Sequence, residues 1–336
     1  MAKEYAIDIG TSVISIYAKG RGIVLSEPSC ATYDSKKERV VAVGSEAQEM
    51  YGRTPPGLSA VRPVKNGVVA DYEIARGLIT RLFKRASAKY GFARKRVLVC
   101  FPTLISEVQR RAIEEIAYAT GAAEVLLCEE PFAQAVGVGL PALEAYGSMI
   151  IDIGGGLSEV AVLSLGDVVI ARNTIAAGDE MDAAIVAYLR KARNILIGET
   201  TAERLKIEIG KVPGYAFEEA MEVSGRELTT GRPVMVRVES NEIAAAISDC
   251  VHSIVETVRA ALDETPPELS ADIMDSGIML AGGGAQLRGL AELLAAETGI
   301  AVSVAEEPAL STIRGLGRIL EDSQNYNAST HKASRR

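Results

Sequence analysis

The sequence predicts an α/β protein made of two similar domains, each built around a mixed β-sheet, and three observations support this prediction. Two segments repeat each other 144 residues apart, from Asp8 to Asp152. In each, an apolar strand ends at an aspartate, turns through glycine and continues into a β-branched strand. Groups of short strands alternate with helical segments along the chain. The length of 336 residues suits two domains of ~150 residues each.

The first half opens with three short predicted strands over residues 5–33, because β-branched residues are joined by tight glycine turns. Residues 34–72 are more polar and contain prolines, which predicts a small insertion. Apolar residues at helical spacing predict a helix over residues 73–89. The next predicted elements are a strand at 97–101, a helix from 106 to 121, a strand at 125–127 and a helix that begins at Glu130.

The second half repeats this opening, with three predicted strands between residues 147 and 173. Helices are predicted at residues 181–195 and 201–210. Residues 213–240 contain strand-like and turn-like segments, which predicts a second insertion. The remaining predicted elements are a long helix at 241–263, a strand at 277–281, a helix at 287–298 and a last helix at 309–321. The polar tail, residues 323–336, is predicted to be disordered.

Composition disfavours several classes of function. The net charge of −8 argues against a broad nucleic-acid-binding face, so no nucleic-acid partner is expected. The chain has only two histidines, which argues against a histidine-based nucleophilic triad. Its four cysteines are scattered without a CxxC pair, which is typical of buried thiols in a reducing compartment. No signal peptide fits the N-terminus, and no apolar run approaches the ~18 residues of a membrane span.

The repeated hairpins predict a site for a phosphorylated ligand, because glycine turns let backbone N–H groups converge on phosphate oxygens. Asp8 and Asp152 are expected to face each other across a cleft, where paired carboxylates suit a hydrated Mg²⁺. Thr11 and Ser158 offer hydroxyls to the terminal phosphates. One such hairpin alone is better explained as a turn with a solvent-facing aspartate. The two copies, together with a third glycine cluster, favour binding.

A third glycine cluster, Gly282-Gly283-Gly284, joins a predicted strand to a predicted helix and offers a flat backbone surface to an adenine or a ribose. Alone, such a turn is also a common packing device. The chain lacks the Gly-Lys-Ser/Thr ending of a P-loop, and its first two glycine turns join strand to strand. The predicted site is therefore of a different type.

Together these motifs resemble the actin-like ATPase superfamily, and within it the MreB/Mbl-type family of bacterial rod-shape cytoskeletal proteins. The matching segments, in order along residues 5–321, include Asp8-Ile9-Gly10-Thr11, Gly52-Arg53-Thr54-Pro55, Glu129-Glu130-Pro131, Asp152-Ile153-Gly154-Gly155-Gly156, Gly178-Asp179-Glu180-Met181-Asp182, Thr265-Pro266-Pro267-Glu268-Leu269 and Ala281-Gly282-Gly283-Gly284. The resemblance implies an actin-like fold, in which two ribonuclease-H-like domains flank a nucleotide cleft.

The resemblance also implies domain bounds. The first domain is expected to comprise residues 1–145, with an inserted subdomain at about 33–73, and to be completed by a returning helix at 309–321. The second is expected to comprise residues 146–308, with an inserted subdomain at about 181–240.

By the same resemblance the cleft holds ATP or ADP with Mg²⁺, and Asp8 and Asp152 hold the Mg²⁺ through water. The residues at matching nucleotide-binding positions are Asp8, Gly10, Thr11, Ser12, Asp152, Gly154, Gly155, Gly156, Ser158, Gly178, Glu180, Glu203, Lys206, Gly282, Gly283 and Gly284. Taken alone, Glu203 and Lys206 are an exposed helical ion pair, and Glu180 is an acid favoured at a helix N-terminus.

Two residues match positions linked to hydrolysis. Glu130 matches a family glutamate that positions the attacking water, and Gln109 stands where bacterial relatives usually carry glutamate and actin carries glutamine. Each also has a structural explanation, because Glu130 suits the N-terminus of the helix at Pro131 and Gln109 has capping-box spacing from Ser106.

The chain departs from the family pattern beside the phosphates. Leu157 and Ser158 stand where the family has two threonines, and Ser12-Val13-Ile14 replaces Ala-Asn-Thr. Loss of one preorganised polar contact costs ~10²-fold or more in rate. We therefore hypothesise that nucleotide binding is kept and hydrolysis is slowed. The protein would then be a slow ATPase coupled to filament assembly, or a hydrolysis-impaired paralogue that co-assembles with another bacterial actin.

The resemblance further implies self-assembly into protofilaments, a peripheral position on the inner, cytoplasmic face of the cell membrane, and wall-elongation proteins as partners. Tyr90 and Phe92 lie among four basic residues and are the expected membrane-contacting residues, since basic side chains contribute ~1 kcal/mol each near anionic lipid. Alternatively, Phe92 packs on its own domain. A small-molecule kinase of the same superfamily is disfavoured, because it needs a substrate-binding acid poised in the cleft and is usually a larger chain. A chaperone ATPase is disfavoured because it needs a substrate-binding domain.

Overall fold

The computed structural model describes residues 3–88 and 95–333. The first half contains, in chain order, β1 (Lys3–Ile9), β2 (Val13–Ala18), β3 (Gly22–Pro28), β4 (Ala31–Asp34), β5 (Arg39–Val43), α1 (Ser45–Glu49), β6 (Leu58–Val61), β7 (Val64–Lys65), β8 (Val68–Val69), α2 (Tyr72–Ser87), β9 (Lys95–Phe101), α3 (Glu107–Ala119), β10 (Glu124–Glu129) and α4 (Glu130–Val138).

The second half contains β11 (Ser148–Ile153), β12 (Ser158–Ser164), β13 (Asp167–Thr174), α5 (Gly178–Arg193), β14 (Ile195–Leu196), α6 (Glu199–Ile209), β15 (Ala220–Glu227), β16 (Pro233–Glu239), α7 (Ser240–Ala246), α8 (Ser248–Glu264), α9 (Pro267–Ser276), β17 (Ile278–Ala281), α10 (Leu290–Thr298) and β18 (Val302–Val304). The chain then returns to the first half through α11 (Ser311–Glu321) and β19 (His331–Lys332).

The two large sheets share one plan, which confirms the prediction of two similar α/β halves. In the first sheet, β1, β2 and β3 are antiparallel neighbours, and β9 and β10 run parallel to β1. In the second, β11, β12 and β13 are antiparallel neighbours, and β17 and β18 run parallel to β11. Asp8 and Asp152 therefore occupy equivalent places, each the last residue but one of the first strand of its sheet.

Each large sheet carries a smaller sheet as an insertion. The first is ordered β5-β4-β6 and the second β14-β15-β16. Residues next to the two small sheets approach each other across the space between the halves, since Arg62 pairs with Asp179 and the Tyr51 hydroxyl donates to Glu199.

Helices α4 and α11 join the two halves. They contribute to an apolar cluster that also contains Leu98 of the first sheet and Ile150 of the second. Their backbones touch, since a Cβ added at Gly315 would lie 1.6 Å from the carbonyl oxygen of Ala133. The pair therefore sits as one packed unit beneath both sheets, separate from the cores that each half builds alone.

The structure differs from the sequence prediction in three places. The predicted helix 241–263 is broken at Ile247 into α7 and α8, and apolar spacing continues across the break, so periodicity does not reveal it. Helix α9 and strand β18 were not predicted. The tail, predicted to be disordered, forms turns and the strand β19, which pairs with β10 because an edge strand offers unpaired backbone groups. In the described residues, no helix has the length and apolar character that a bilayer crossing demands.

Candidate functional site

A cavity of about 550 Å³ lies between the two halves and brings together most of the residues predicted for a nucleotide site. Its volume is within the ~300–1,000 Å³ that is usual for small-molecule sites. The predicted residues that line it are Asp8, Gly10, Thr11, Ser12, Glu130, Asp152, Gly154, Gly155, Gly156, Gly178, Glu203, Lys206, Gly282, Gly283 and Gly284.

The two hairpin turns meet at the centre of this cleft. A Cβ added at Gly156 would lie 2.7 Å from the Oγ1 of Thr11 and 2.7 Å from the backbone nitrogen of Asn66, so only glycine permits the approach. The hydroxyl oxygen of Thr11 accepts a hydrogen bond from the backbone N–H of Gly67 at 3.1 Å. The two halves therefore present one continuous backbone surface, which suits an anion.

The third glycine turn, at Gly282, packs against the end of the strand that carries Asp152. Gly282 has a φ of +80°, and a Cβ added there would lie 2.2 Å from the Oδ1 of Asp152. Gly283 has no atom within 4 Å of such a Cβ and presents bare backbone to the cavity. The turn therefore packs closely against the strand of Asp152 and keeps an open backbone face, and the open face is the property that the sequence predicts for it.

The carboxylates of Asp8, Glu130 and Asp152 form the floor of the cleft. The Cys100 thiol lies beside two of them, since its sulfur and carboxylate oxygens of Asp8 and Glu130 lie within 4.8 Å of one another. The thiol donates to the Oδ1 of Asp8 at 3.8 Å. Burial raises the pKa of Asp8 to about 7, and the charge of Asp152 adds to the rise. Burial likewise raises the pKa of Asp152 to about 6 and that of Glu130 well above its usual range.

This donor set fits a hydrated Mg²⁺. Carboxylate oxygens are ligands that Mg²⁺ prefers, and two or three ionised carboxylates at close range need a cation to be stable. The Cys100 thiol is not such a ligand. Burial and the nearby carboxylates raise its pKa well above the usual range, so it remains a protonated donor.

Glu159 is a fourth carboxylate in the cavity wall, and the sequence analysis does not assign it. Its side chain is 3% exposed and accepts a hydrogen bond from the backbone N–H of Thr103, in the opposite half, at 2.9 Å. Burial raises its pKa to about 8. Strand alternation carries a signal for it, since Ser158 and Glu159 are the first two residues of β12 and point to opposite faces of the sheet.

The raised pKa values of these acids predict a pH dependence of stability. A carboxyl whose pKa is higher in the folded than in the unfolded state binds more protons when folded, so stability falls as pH rises through the folded value. For Asp152, Asp8 and Glu159 these values are about 6, 7 and 8. We expect the melting temperature of the ligand-free protein to fall between about pH 5.5 and pH 8.5.

Thermal unfolding in a series of buffers checks this expectation, with Glu159→Gln as the comparison. The amide keeps the shape of the carboxyl and does not titrate, so its melting temperature should vary less with pH. A melting temperature that rises with pH over this range would contradict the assignment of raised pKa values.

The side of the cleft formed by α6 holds the residues predicted for the sugar and base. Lys206 donates to the Gly178 carbonyl at 2.7 Å and pairs with Asp182 at 2.8 Å. Glu203 lies in the cavity wall and 3.5 Å from the guanidinium of Arg62. These two side chains have partners on other elements, so an isolated helical ion pair does not describe them.

Two contacts cross the mouth of the cleft between the insertions, and the sequence analysis does not predict them. Arg62 pairs with Asp179 at 2.8 Å, and the Tyr51 hydroxyl donates to Glu199 at 2.9 Å. Burial and the nearby Glu199 carboxylate raise the pKa of Tyr51 to about 12. The residues involved stand more than a hundred positions apart in the chain, and no local pattern links them.

Three predicted residues lie outside the cavity. Ser158 is buried and donates to the Ala176 carbonyl at 2.7 Å, because strand alternation turns it away from the cleft. Gln109 forms the capping box of α3 with Ser106, which is its structural alternative. Glu180 is exposed on the first turn of α5 and does not line the cavity. Tyr90 and Phe92, the expected membrane residues, lie outside the described residues.

Known proteins are similar to this chain over most of its length. A family model described as "MreB/Mbl protein" matches residues 2–328. The cell shape-determining protein MreB of Escherichia coli (strain K12) is 46% identical over 327 residues, 95% of this chain and 94% of that protein. The cell shape-determining protein Mbl of Bacillus subtilis (strain 168) is 41% identical over 321 residues, 96% of each.

Solved structures give the same result. This chain is similar to the crystal structure of MreB5 of Spiroplasma citri bound to ADP, with a TM-score of 0.91, 33% sequence identity and 98% of each chain covered. It is also similar to a MamK double helical filament, with a TM-score of 0.77, 96% of this chain and 99% of that chain covered. The MamK identity of 21% supports a likeness of fold alone.

Proposed function

The chain belongs to the MreB/Mbl family and has the actin-like fold, and from this premise we propose that it is an ATP-binding bacterial actin homologue that polymerises into membrane-associated filaments. Such filaments would scaffold cell-shape determination and peptidoglycan synthesis. The observation that carries the proposal is the meeting of three glycine turns and an acidic floor in one cleft between the halves. Relatives named cell shape-determining proteins, and an MreB5 solved with ADP and with AMPPNP, support it.

The residues of the cleft would divide the work as follows. Backbone N–H groups of the turns at Gly10 and Gly154 would bind the phosphates, and Asp8 and Asp152 would hold Mg²⁺ through water. The Mg²⁺ would neutralise negative charge at the phosphates. Glu130, at the N-terminus of α4, orients the attacking water. Its pKa is raised, so the carboxyl holds a proton readily until a cation enters.

Nucleotide binding would favour the closed form because the ligand contacts both halves at once. The contacts of Arg62 with Asp179 and of Tyr51 with Glu199 act in the same direction, since they hold the insertions together above the ligand. Closure would set the relative orientation of surfaces that stack in a protofilament. The site would then serve to time assembly.

Sedimentation and electron microscopy test the proposal. With Mg²⁺ and ATP the protein should pellet and form filaments, and without nucleotide it should remain in the supernatant. A kinase would not pellet under these conditions. Calorimetry with ADP and ATP in the same buffers separates a failure to bind from a failure to assemble, and absence of binding would overturn the proposal.

A second candidate function is a hydrolysis-impaired paralogue that co-assembles with another bacterial actin. Leu157 favours it, because its side chain lines the cavity beside the phosphate turns and offers no hydroxyl. A Cβ added at Gly67 would lie 3.1 Å from the Leu157 Cδ2 and 3.2 Å from the Pro102 Cγ. The leucine therefore fills the gap between the halves with apolar surface.

The membrane contact predicts a specific mutational effect. Phe92→Ser, alone or with Tyr90→Ser, should reduce co-sedimentation with anionic liposomes, because burial of an aromatic ring in the headgroup boundary is lost. Ala93→Ser is the matched control and should leave binding unchanged. Liposome binding by Phe92→Ser equal to that of the parent would remove this loop from the proposal. Contacts with wall-elongation proteins are likewise proposed from the family alone.

A further inference from the structure

Glu159 stands beside Asp152 in the second sheet but has no part in the division of work proposed for the cleft. The antiparallel register of β11 and β12 pairs these two residues directly. Directly paired residues project from the same face of a sheet, with Cβ atoms about 4.5–5.5 Å apart. Both residues line the cleft, and they flank the glycine turn at residues 154–157. Glu159 is therefore placed where the phosphates and the cation would lie.

The hairpin itself does not require an acid at this position. In the first half the residue opposite Asp8 is Ser15, which is buried and whose hydroxyl oxygen lies 3.2 Å from that of Ser26. The two hairpins share the same order of strand, turn and strand. A small hydroxyl thus satisfies the structural need in one copy of the repeat. The acid in the other copy needs a different explanation.

Only one oxygen of Glu159 has a protein partner. Its Oε1 accepts a hydrogen bond from the backbone N–H of Thr103, in the first half, at 2.9 Å. Among the described residues the side chain forms no other hydrogen bond and no ion pair, although it is 97% buried. Ionising a carboxyl that is buried with one neutral donor costs free energy, whereas an amide accepts the same N–H without a charge. Stability alone therefore does not explain the acid.

We propose that Glu159 is a third acidic residue of the cation site, whose Oε2 accepts a hydrogen bond from the water shell of Mg²⁺ while Thr103 fixes its Oε1. The inference rests on the proposed function, because it needs a nucleotide with a hydrated cation in the cleft. Mg²⁺ keeps several of its waters in proteins, so carboxylates hold it through those waters. Such outer groups typically contribute about 10–100-fold to metal affinity.

Calorimetric titration of ADP with Mg²⁺ and with EDTA tests this inference in the full chain. For the parent protein Mg²⁺ should raise the affinity for ADP. For Glu159→Gln this gain should shrink by about tenfold or more, because the amide still accepts from Thr103 but no longer offers a charged acceptor to the water shell. Its affinity in EDTA should equal or exceed that of the parent, since a negative charge near the phosphates is removed.

Two further variants complete the experiment. Glu222→Gln makes the same change at an exposed position of β15 and should leave both affinities and the melting temperature unchanged. Glu159→Ser copies the residue of the first hairpin and should also lose the gain from Mg²⁺, so it decides the question if the amide variant does not fold. The melting temperature of Glu159→Gln should equal or exceed that of the parent, because no charge is then buried.

The outcomes separate the inference from the proposed function. Glu159→Gln with the parent's gain from Mg²⁺ overturns the inference and leaves nucleotide binding standing. An equal loss of affinity with Mg²⁺ and with EDTA also overturns it, because that pattern marks a purely structural residue. So does a parent protein that binds ADP equally well in both conditions. A parent protein that binds no nucleotide overturns the proposed function, and the inference with it.

Discussion

Gly156→Ala is expected to abolish nucleotide-dependent assembly, because the added methyl group prevents the two halves from closing. Its Cβ would lie 2.7 Å from the backbone nitrogen of Asn66 and 2.7 Å from the Thr11 Oγ1. The first of these atoms belongs to the main chain and cannot turn aside. The halves must separate by a substantial fraction of an ångström, and a misplacement of ~1 Å in a reactive site costs ~10²-fold.

The measurement is twofold. Calorimetry should show ADP affinity reduced by about tenfold to a hundredfold, and sedimentation with ATP should show no pellet. Gly198→Ala is the matched control, since a Cβ there meets no atom within 4 Å and the backbone φ of −84° suits alanine. The control should bind and assemble as the parent does. Normal assembly by Gly156→Ala would show that contact between the hairpin turns is not required.

The hairpin turns are also the part of the site that the sequence predicts best. Asp8 and Asp152 are found near the ends of equivalent strands because the repeat in sequence is a repeat of strand, turn and strand. The residues that determine each hairpin are close together in the sequence, so its strand register and turn can be predicted locally. Each of the two phosphate loops is therefore predictable from its own segment. The facing of the loops was inferred from the duplication, and the contact between Gly156 and Thr11 agrees with it.

Side-chain direction at the second turn was less predictable. Ser158 was expected at the phosphates on the basis of its hydroxyl. Instead Leu157, just before β12, and Glu159 line the cleft, and Ser158 donates to the Ala176 carbonyl. A shift of one residue along a strand exchanges its faces, so the exact residue at which β12 begins decides the outcome. Propensity locates strand ends only to within a residue or two.

Contacts between distant segments were not predictable at all. Arg62 reaches Asp179 and Glu203 only because the two insertions face each other across the cleft. The pairing of β19 with β10 similarly depends on where α11 delivers the tail. Each of these contacts follows from the tertiary arrangement, and a single sequence carries no periodic or compositional signal for it.

Leu157→Thr is expected to raise the rate of phosphate release by about tenfold to a hundredfold, because it introduces a hydroxyl where the cavity wall is apolar. Leu157 lines the cavity next to the glycine turns and lies beside Gly67 and Pro102. A hydroxyl at this position is available to a water or a phosphate oxygen near Glu130. Phosphate release by the variant, measured under the conditions in which the parent assembles, checks the expectation.

Leu157→Val separates the effect of the added hydroxyl from the effect of the smaller side chain, since valine and threonine have nearly the same shape. Both variants relieve the same volume beside Gly67, and only threonine adds a polar group. Acceleration in Leu157→Thr alone would identify the missing hydroxyl as the cause of slow turnover. Equal acceleration in both would identify water access, because the leucine would then act as an apolar barrier between the halves. If neither variant is faster than the parent, Leu157 does not limit hydrolysis, and the hypothesis of a slowed ATPase loses its structural basis.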